Sequence, residues 1–128
     1  MGHRLSTLEL RIMEILWSHG PASVREVQEK FPRTERPAYT TVQTVIYRLE
    51  AKRAVRRTKK VGNAHVFEAV LSRSAAHRRI VDDVLALFGG RVQPLVAQLV
   101  ESGRLTEDDL REAEAVLRRI AVQERKRT

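Results

Sequence analysis

Residues 39–49 read YTTVQTVIYRL, and two patterns share that one stretch. Val42, Val45, Ile46 and Leu49 fall at i, i+3, i+4 and i+7, the spacing of a helix face turned into a core. On a helical wheel Thr40, Thr44, Tyr47 and Ala51 centre on the opposite side, with Gln43 and Arg48 flanking them. That second face carries hydroxyls, an amide, a phenol and a guanidinium; the nearest carboxylate, Glu50, sits at its rim. An α-helix fits the major groove of B-DNA. There Gln can pair with adenine through two hydrogen bonds, Thr can offer a hydroxyl to a base or phosphate and a methyl to thymine, and Arg suits guanine or phosphate. A negative side chain on this face would repel the duplex. Any one of these residues could lie on an ordinary solvated helix face; the combination points to a polyanion.

Upstream, Ser6-Thr7-Leu8-Glu9 is a capping-box pattern that opens a helix with Leu8, Ile12, Ile15 and Leu16 on its apolar stripe. Gly20-Pro21 ends it. Ser23-Val24-Arg25-Glu26 is a second capping box, opening a short helix to about Lys30 that Pro32 stops. Residues 33–37 form a polar loop, and Pro37 introduces the helix quoted above, which runs to about Lys52. Downstream, residues 54–60 and 64–70 carry β-branched and aromatic residues around Gly62-Asn63, a hairpin signal. A two-residue turn there sets Arg57 opposite Glu68 as a cross-strand ion pair. Three helices followed by a hairpin with a basic first strand is the winged helix-turn-helix order.

Charge supports that order. The chain of 128 residues carries 24 Lys+Arg against 16 Asp+Glu, a net charge of +8. Residues 1–71 hold 13 basic and 7 acidic side chains, net +6, while residues 72–128 hold 11 and 9, net +2. Seven basic residues (Arg48, Lys52, Arg53, Arg56, Arg57, Lys59 and Lys60) crowd into thirteen positions from the helix end through the first strand. A wing so composed would lie along phosphates and give affinity without sequence information. Lys52, Arg53, Arg57, Lys59 and Lys60 are the expected phosphate contacts.

After Leu71 the helical period returns. Ile80, Val81, Val84, Leu85 and Phe88 make one stripe, broken by Gly89-Gly90; Val92, Leu95, Val96, Leu99 and Val100 make another, stopped by Ser102-Gly103. Thr106 to Asp109 cap a last helix bearing Leu110, Ala113, Leu117 and Ile120, and RKRT forms a basic tail. Such stripes exceed what short helices need for a complete N-terminal domain, so Ile80, Val84, Phe88, Leu95, Leu99, Leu110, Leu117 and Ile120 are the expected contacts with a second copy. The expected fold is mainly α with a small β-hairpin wing: a winged-helix DNA-binding domain over 1–72 and a helical dimerisation domain over 73–128.

Several chemistries lack their residues. With no cysteine, disulfides, thiolate metal sites and cysteine nucleophiles are excluded, in keeping with a reducing compartment such as the cytoplasm. His3, His19, His65 and His77 show no metal-ligand spacing, so no metal, cofactor or catalytic group is expected. No apolar run reaches membrane-spanning length. Residues 1–6 formally match an N-acylation pattern, but Ser6 has the capping role. Trp17 follows the first apolar stripe and reads as packing.

With helix, basic strand and hairpin in place, the chain resembles the BlaI/MecI family of bacterial penicillinase-type repressors. The likeness lies in LSTLELRIMEILWSHGPASVREV at 5–27, AYTTVQTVIYRLEAKRAV at 38–55, VFEAVLSR at 66–73 and LTEDDLREAEAVL at 105–117. It implies a homodimeric transcriptional repressor whose winged helices read two halves of a dyad operator with TACA/TGTA-like half-sites. It also implies base-side contacts at Thr40, Thr41, Gln43, Thr44 and Arg48, wing contacts at Arg57, Lys59 and Lys60, and dimer helices over roughly 73–122. Copper-responsive relatives end in a cysteine cluster, which this chain lacks. Antibiotic-responsive relatives are cut at an Asn-Phe bond by a membrane metalloprotease system; here Gln98-Leu99 stands in the comparable stretch. Two rival readings are a sequence-indifferent nucleic-acid binder, architectural or RNA-directed, and a protein-interaction module with incidental charge.

Overall fold

The computed structural model describes residues 4–127. Gly2 of the acylation pattern, His3 and the last residue of the basic tail lie outside them. The chain divides into two compact units that meet between Ile80 and Val81, eight residues beyond the boundary expected from the sequence.

The first unit runs α1 (Thr7–His19), β1 (Ala22–Ser23), α2 (Val24–Lys30), a 3-10 turn (Arg33–Glu35), α3 (Tyr39–Ala51), β2 (Val55–Val61) and β3 (Ala64–Ala69), then the start of α4 (Arg73–Leu87). Both N-terminal capping boxes form: the Ser6 hydroxyl accepts from Glu9 N at 3.2 Å, and Ser23 does the same for Glu26. Gly20 closes α1 with φ 84°, a backbone that glycine adopts without the Cβ clash of other residues. Tyr39 begins α3 with no side-chain cap at Ala38.

The sheet is antiparallel in the order β1-β3-β2. Its third strand, β1, adds to the hairpin that the sequence pattern predicts; Ala22 and Ser23 pair with Phe67 and Val66, so Ser23 serves as strand residue and helix cap together. Helices and sheet enclose one core in which Ile12, Met13, Val27, Val42, Ile46 and Leu49 are fully buried beside Val55 and Phe67. The buried face of α3 is Val42, Val45, Ile46 and Leu49, the set the spacing predicts.

The hairpin corrects one expectation. Its turn is at Gly62-Asn63, but the register shifts between Arg57 and Lys59, leaving Thr58 as an extra residue. Glu68 therefore faces Arg56, which forms the cross-strand ion pair, and Arg57 stands opposite Phe67. A bulge re-aims side chains around it, and here it turns Arg57 toward α3. At the end of α3 the chain makes a Schellman turn: Ala54 N donates to Leu49 O at 2.9 Å and Arg53 N to Glu50 O at 3.0 Å. Arg53 takes the left-handed position, φ 63°, that glycine usually fills.

One buried charge ties α1 to α3. Glu9 is 2 % exposed; its Oε1 accepts from Ser6 N at 2.8 Å and from Lys52 Nζ at 2.7 Å, while Oε2 is buried without a partner among the described residues. Burial alone would raise the carboxyl's pKa. The hydrogen bond from Lys52, helped by Ser6, outweighs it and holds Glu9 below its ordinary value of 4.5.

The second unit contains the rest of α4, then α5 (Val92–Glu101) and α6 (Glu107–Arg127). Gly89 and Gly90, both at positive φ, separate α4 from α5. Thr106 and Asp109 cap α6 reciprocally, with Asp109 N donating to Thr106 Oγ1 at 3.3 Å and Thr106 N to Asp109 Oδ2 at 2.9 Å. Neither α5 nor α6 has a buried residue. Among the described residues no helix is long and apolar enough to cross a membrane.

The Glu9–Lys52 pair yields a stability prediction. A carboxylate held below its unfolded pKa stabilises the fold at neutral pH, and that contribution is lost as pH falls through the folded-state value. Lys52→Met, which leaves Glu9 buried and unpaired, is expected to cost about 3 kcal/mol at neutral pH. Glu9→Gln is expected to cost about 1–2 kcal/mol and to flatten the loss of stability below pH 4.5. Urea unfolding of the three proteins at neutral and acid pH checks both; an unchanged acid slope in Glu9→Gln refutes the assignment.

Candidate nucleic-acid interface

The burial of one side of α3 sets what its other side shows. Thr40, Thr41, Thr44, Tyr47, Arg48 and Ala51 are exposed and Gln43 is half-buried. Tyr47 is 42 % exposed, with its hydroxyl accepting a hydrogen bond from Gln43 Nε2 at 3.3 Å. Glu50, the one carboxylate on α3, is neutralised: Arg57 Nε and Nη2 donate to its two oxygens at 2.8 and 3.2 Å. The hydrogen bond to Glu50 raises the Arg57 pKa above its already high ordinary value. The Arg57 guanidinium also lies over the Tyr47 ring at 5.3 Å and the Phe67 ring at 5.4 Å. The polar face of α3 and the base of the hairpin are thereby one continuous surface.

The expected basic contacts divide into two groups. Arg48, Arg53, Lys59 and Lys60 are exposed and form no ion pair among the described residues. Lys52 and Arg57 are already engaged, the first by Glu9 and the Arg4 carbonyl (3.1 Å), the second by Glu50. Arg56 is taken by Glu68. Sequence spacing had no means of separating these groups, because Glu9 lies 43 residues from Lys52. The only early signal was that Glu9, in a capping box, had to sit at the start of α1.

His77 faces Glu14 at 3.3 Å and meets Trp17 edge-on. Trp17 packs on the core and donates from Nε1 to Leu71 O at 2.8 Å. The described residues include no cluster of His, Asp and Glu suited to a metal ion. Of the residues expected to meet a second copy, Ile80, Leu110, Leu117 and Ile120 are 38, 45, 66 and 47 % exposed. Val84, Phe88, Leu95 and Leu99 are half-buried.

Comparison with known proteins agrees with this geometry. The family model described as penicillinase repressor matches residues 5–119. The transcriptional regulator BlaI of Mycobacterium tuberculosis is 36% identical over 118 residues, covering 89% of this chain and 85% of that protein. The penicillinase repressor of Bacillus licheniformis is 24% identical over 115 residues, with 89% of each covered. The solution structure of the DNA-binding domain of the repressor BlaI superposes with a TM-score of 0.51 at 27% identity, over 59% of this chain and 90% of that one.

Two predictions follow from the split among the cations. Lys59→Ala with Lys60→Ala is expected to weaken binding to every DNA and to reduce the slope of log K against log salt by roughly 2, the release of counterions at two phosphates. Lys52→Ala should leave that slope unchanged, and a titration over salt compares them directly. Arg53→Gly relieves a left-handed arginine and is expected to raise stability by up to about 1 kcal/mol while lowering DNA affinity. A stabilised variant that keeps full affinity would remove Arg53 from the contact surface.

Proposed function

The chain belongs to the penicillinase repressor family, a family of DNA-binding transcriptional repressors rather than enzymes, and we propose that it holds a two-fold symmetric operator as a homodimer and blocks transcription by occupying it. The observation that carries this reading is α3: four apolar residues lock one side into the core, and the opposite side offers Thr40, Thr41, Gln43, Thr44 and Arg48 with its only carboxylate neutralised by Arg57. Arg53, Lys59 and Lys60 supply the phosphate contacts that fix the register of the helix in the groove.

The DNA work is assigned to the winged helix and the assembly to the helices beyond it. Leu117 is 66 % and Leu87 84 % exposed in the single chain, and Val92, Val100, Leu110, Ile120 and Val122 each stand at 44 % or more. That much exposed apolar surface on one unit marks an association face, and a two-fold dimer is the commonest way to cover it. A membrane metalloprotease is the candidate partner for relief of repression. Gln98-Leu99 lies inside α5, with the Gln98 carbonyl accepting from Ser102 N at 3.0 Å, so cleavage there requires that the end of α5 first unwind.

Leu117 tests the dimer cleanly because it is 66 % exposed within one chain. Leu117→Asp is expected to leave the first unit folded, to convert the dimer to monomer in sedimentation, and to weaken operator binding by roughly 10²–10⁴, the effective-concentration gain of a second half-site. Affinity for bulk DNA should fall far less. A variant that stays dimeric, or a monomer that binds as tightly as the parent, refutes the assembly. Equal affinity of the parent for operator and bulk DNA refutes sequence-specific repression.

A further inference from the structure

Gln43 and Tyr47 lie one turn apart on α3, and their side chains are joined: one amide N–H of Gln43 goes to the Tyr47 hydroxyl at 3.3 Å. The phenol is itself held. Its ring sits 6.4 Å from Phe67, a buried residue of β3, and 5.3 Å beneath the Arg57 guanidinium. Arg57 in turn is fixed by the two oxygens of Glu50 at 2.8 and 3.2 Å. The bulge at Thr58 is what aims Arg57 across to α3 rather than at Glu68.

A free glutamine is a poor reader of bases. Its amide can rotate by half a turn, exchanging donor for acceptor at the same place, so it can match more than one base edge. In this structure the Tyr47 hydroxyl accepts from the Gln43 nitrogen, and an amide held that way presents one of its two orientations. With one N–H taken by Tyr47, the outward edge of Gln43 keeps a carbonyl oxygen and a single N–H side by side. That pair complements the N6 donor and N7 acceptor of adenine.

We propose that Tyr47 is a positioning residue that sets the orientation of the Gln43 carboxamide for adenine, and that Arg57 acts behind it as a strut rather than as a phosphate contact. This rests on the reading of α3 as the base-reading helix. Tyr47 then contributes to specificity without touching a base, and the wing contributes to base choice through its bulge as well as to affinity through its lysines. A guanidinium suits this place, because its fork pairs with both oxygens of Glu50 while its carbon stays 5.3 and 5.4 Å from the centres of the two rings. A lysine would keep the charge and lose the strut.

The test uses full-length protein, the tightest duplex that the parent selects from a randomised pool, that duplex with the adenine read by Gln43 replaced, and bulk genomic DNA. Gln43→Ala identifies the adenine as the position whose replacement no longer matters. Tyr47→Phe keeps the ring and its packing, and is expected to lower discrimination at that position by about 3- to 10-fold, the worth of one neutral hydrogen bond, with bulk-DNA affinity and unfolding midpoint unchanged. Arg57→Lys is expected to show the same loss with an unchanged salt slope. In the Gln43→Ala background Tyr47→Phe should have no effect on affinity for the selected duplex, since its route to the base is gone. Additive losses in the double variant overturn the relay and make Tyr47 a direct contact. A salt slope that falls in Arg57→Lys returns Arg57 to the phosphates and removes the strut. If Gln43→Ala loses equally on all DNAs, the base-reading role of Gln43 fails and the relay with it, whereas additive losses alone leave that role standing.

Discussion

Rotation of α3 about its own axis is the constraint on which the interface depends. Val42, Ile46 and Leu49 are completely buried and Val45 is 5 % exposed, so the helix cannot turn by even one residue without driving a threonine or glutamine into the core, at a cost of several kcal/mol for each unpaired polar group. The polar face is therefore presented with the precision of close packing rather than that of a loop. Glu9 and Lys52 fix the same helix at its far end: the lysine that follows α3 is drawn into a carboxylate at the start of α1. One end of α3 is held by charge and its middle by apolar contact, and its first turn is left open, with only Pro37 and an uncapped Ala38 before it. An uncapped helix start leaves backbone N–H groups without partners in the helix, and such groups suit a phosphate.

The basic run from Arg48 to Lys60 performs two kinds of work. Arg56, Arg57 and Lys52 spend their charge on Glu68, Glu50 and Glu9; they hold strand to strand, strand to helix and helix to helix. Arg48, Arg53, Lys59 and Lys60 keep theirs. On the proposed reading, a count of positive residues overstates the number of phosphates this surface neutralises, and the salt dependence of binding follows the second group. Arg53 keeps a left-handed backbone that glycine would adopt at lower cost, a sign that a side chain is wanted there.

The parts of the fold written in short-range patterns were legible before the structure. Ser6 and Ser23 with glutamates three residues on define two helix starts; the spacing of Val42, Val45, Ile46 and Leu49 defines the buried side of α3; Gly62-Asn63 defines the turn. What the sequence hid are features whose cause lies across the chain. Strand β1 has two residues, too few to show an alternation, and exists because β3 offers it an edge. The Thr58 bulge inserts a residue without any glycine to announce it, which moved Glu68 from Arg57 to Arg56. That Lys52 and Arg57 hold carboxylates was hidden because those partners are distant in sequence or assigned to the rim. For α4 to α6 the apolar stripes were plain, yet a single chain buries almost none of them.

That last mismatch has a thermodynamic consequence. On the proposed assembly the faces of α5 and α6 find their cover in a second copy, so much of what holds residues 81–128 in order is supplied by association. Folding of this unit and dimer formation then belong to one linked equilibrium, and its position depends on protein concentration. The DNA-reading unit is different: its core of Ile12, Met13, Val27, Val42, Ile46 and Leu49 is complete within one chain. A repressor built this way can be switched without disturbing a single base contact. Any event that uncovers the apolar faces, whether dilution, a cut in α5 or a competing helix, leaves α3 intact but separates the two half-site readers. Release then follows from the loss of effective concentration between them.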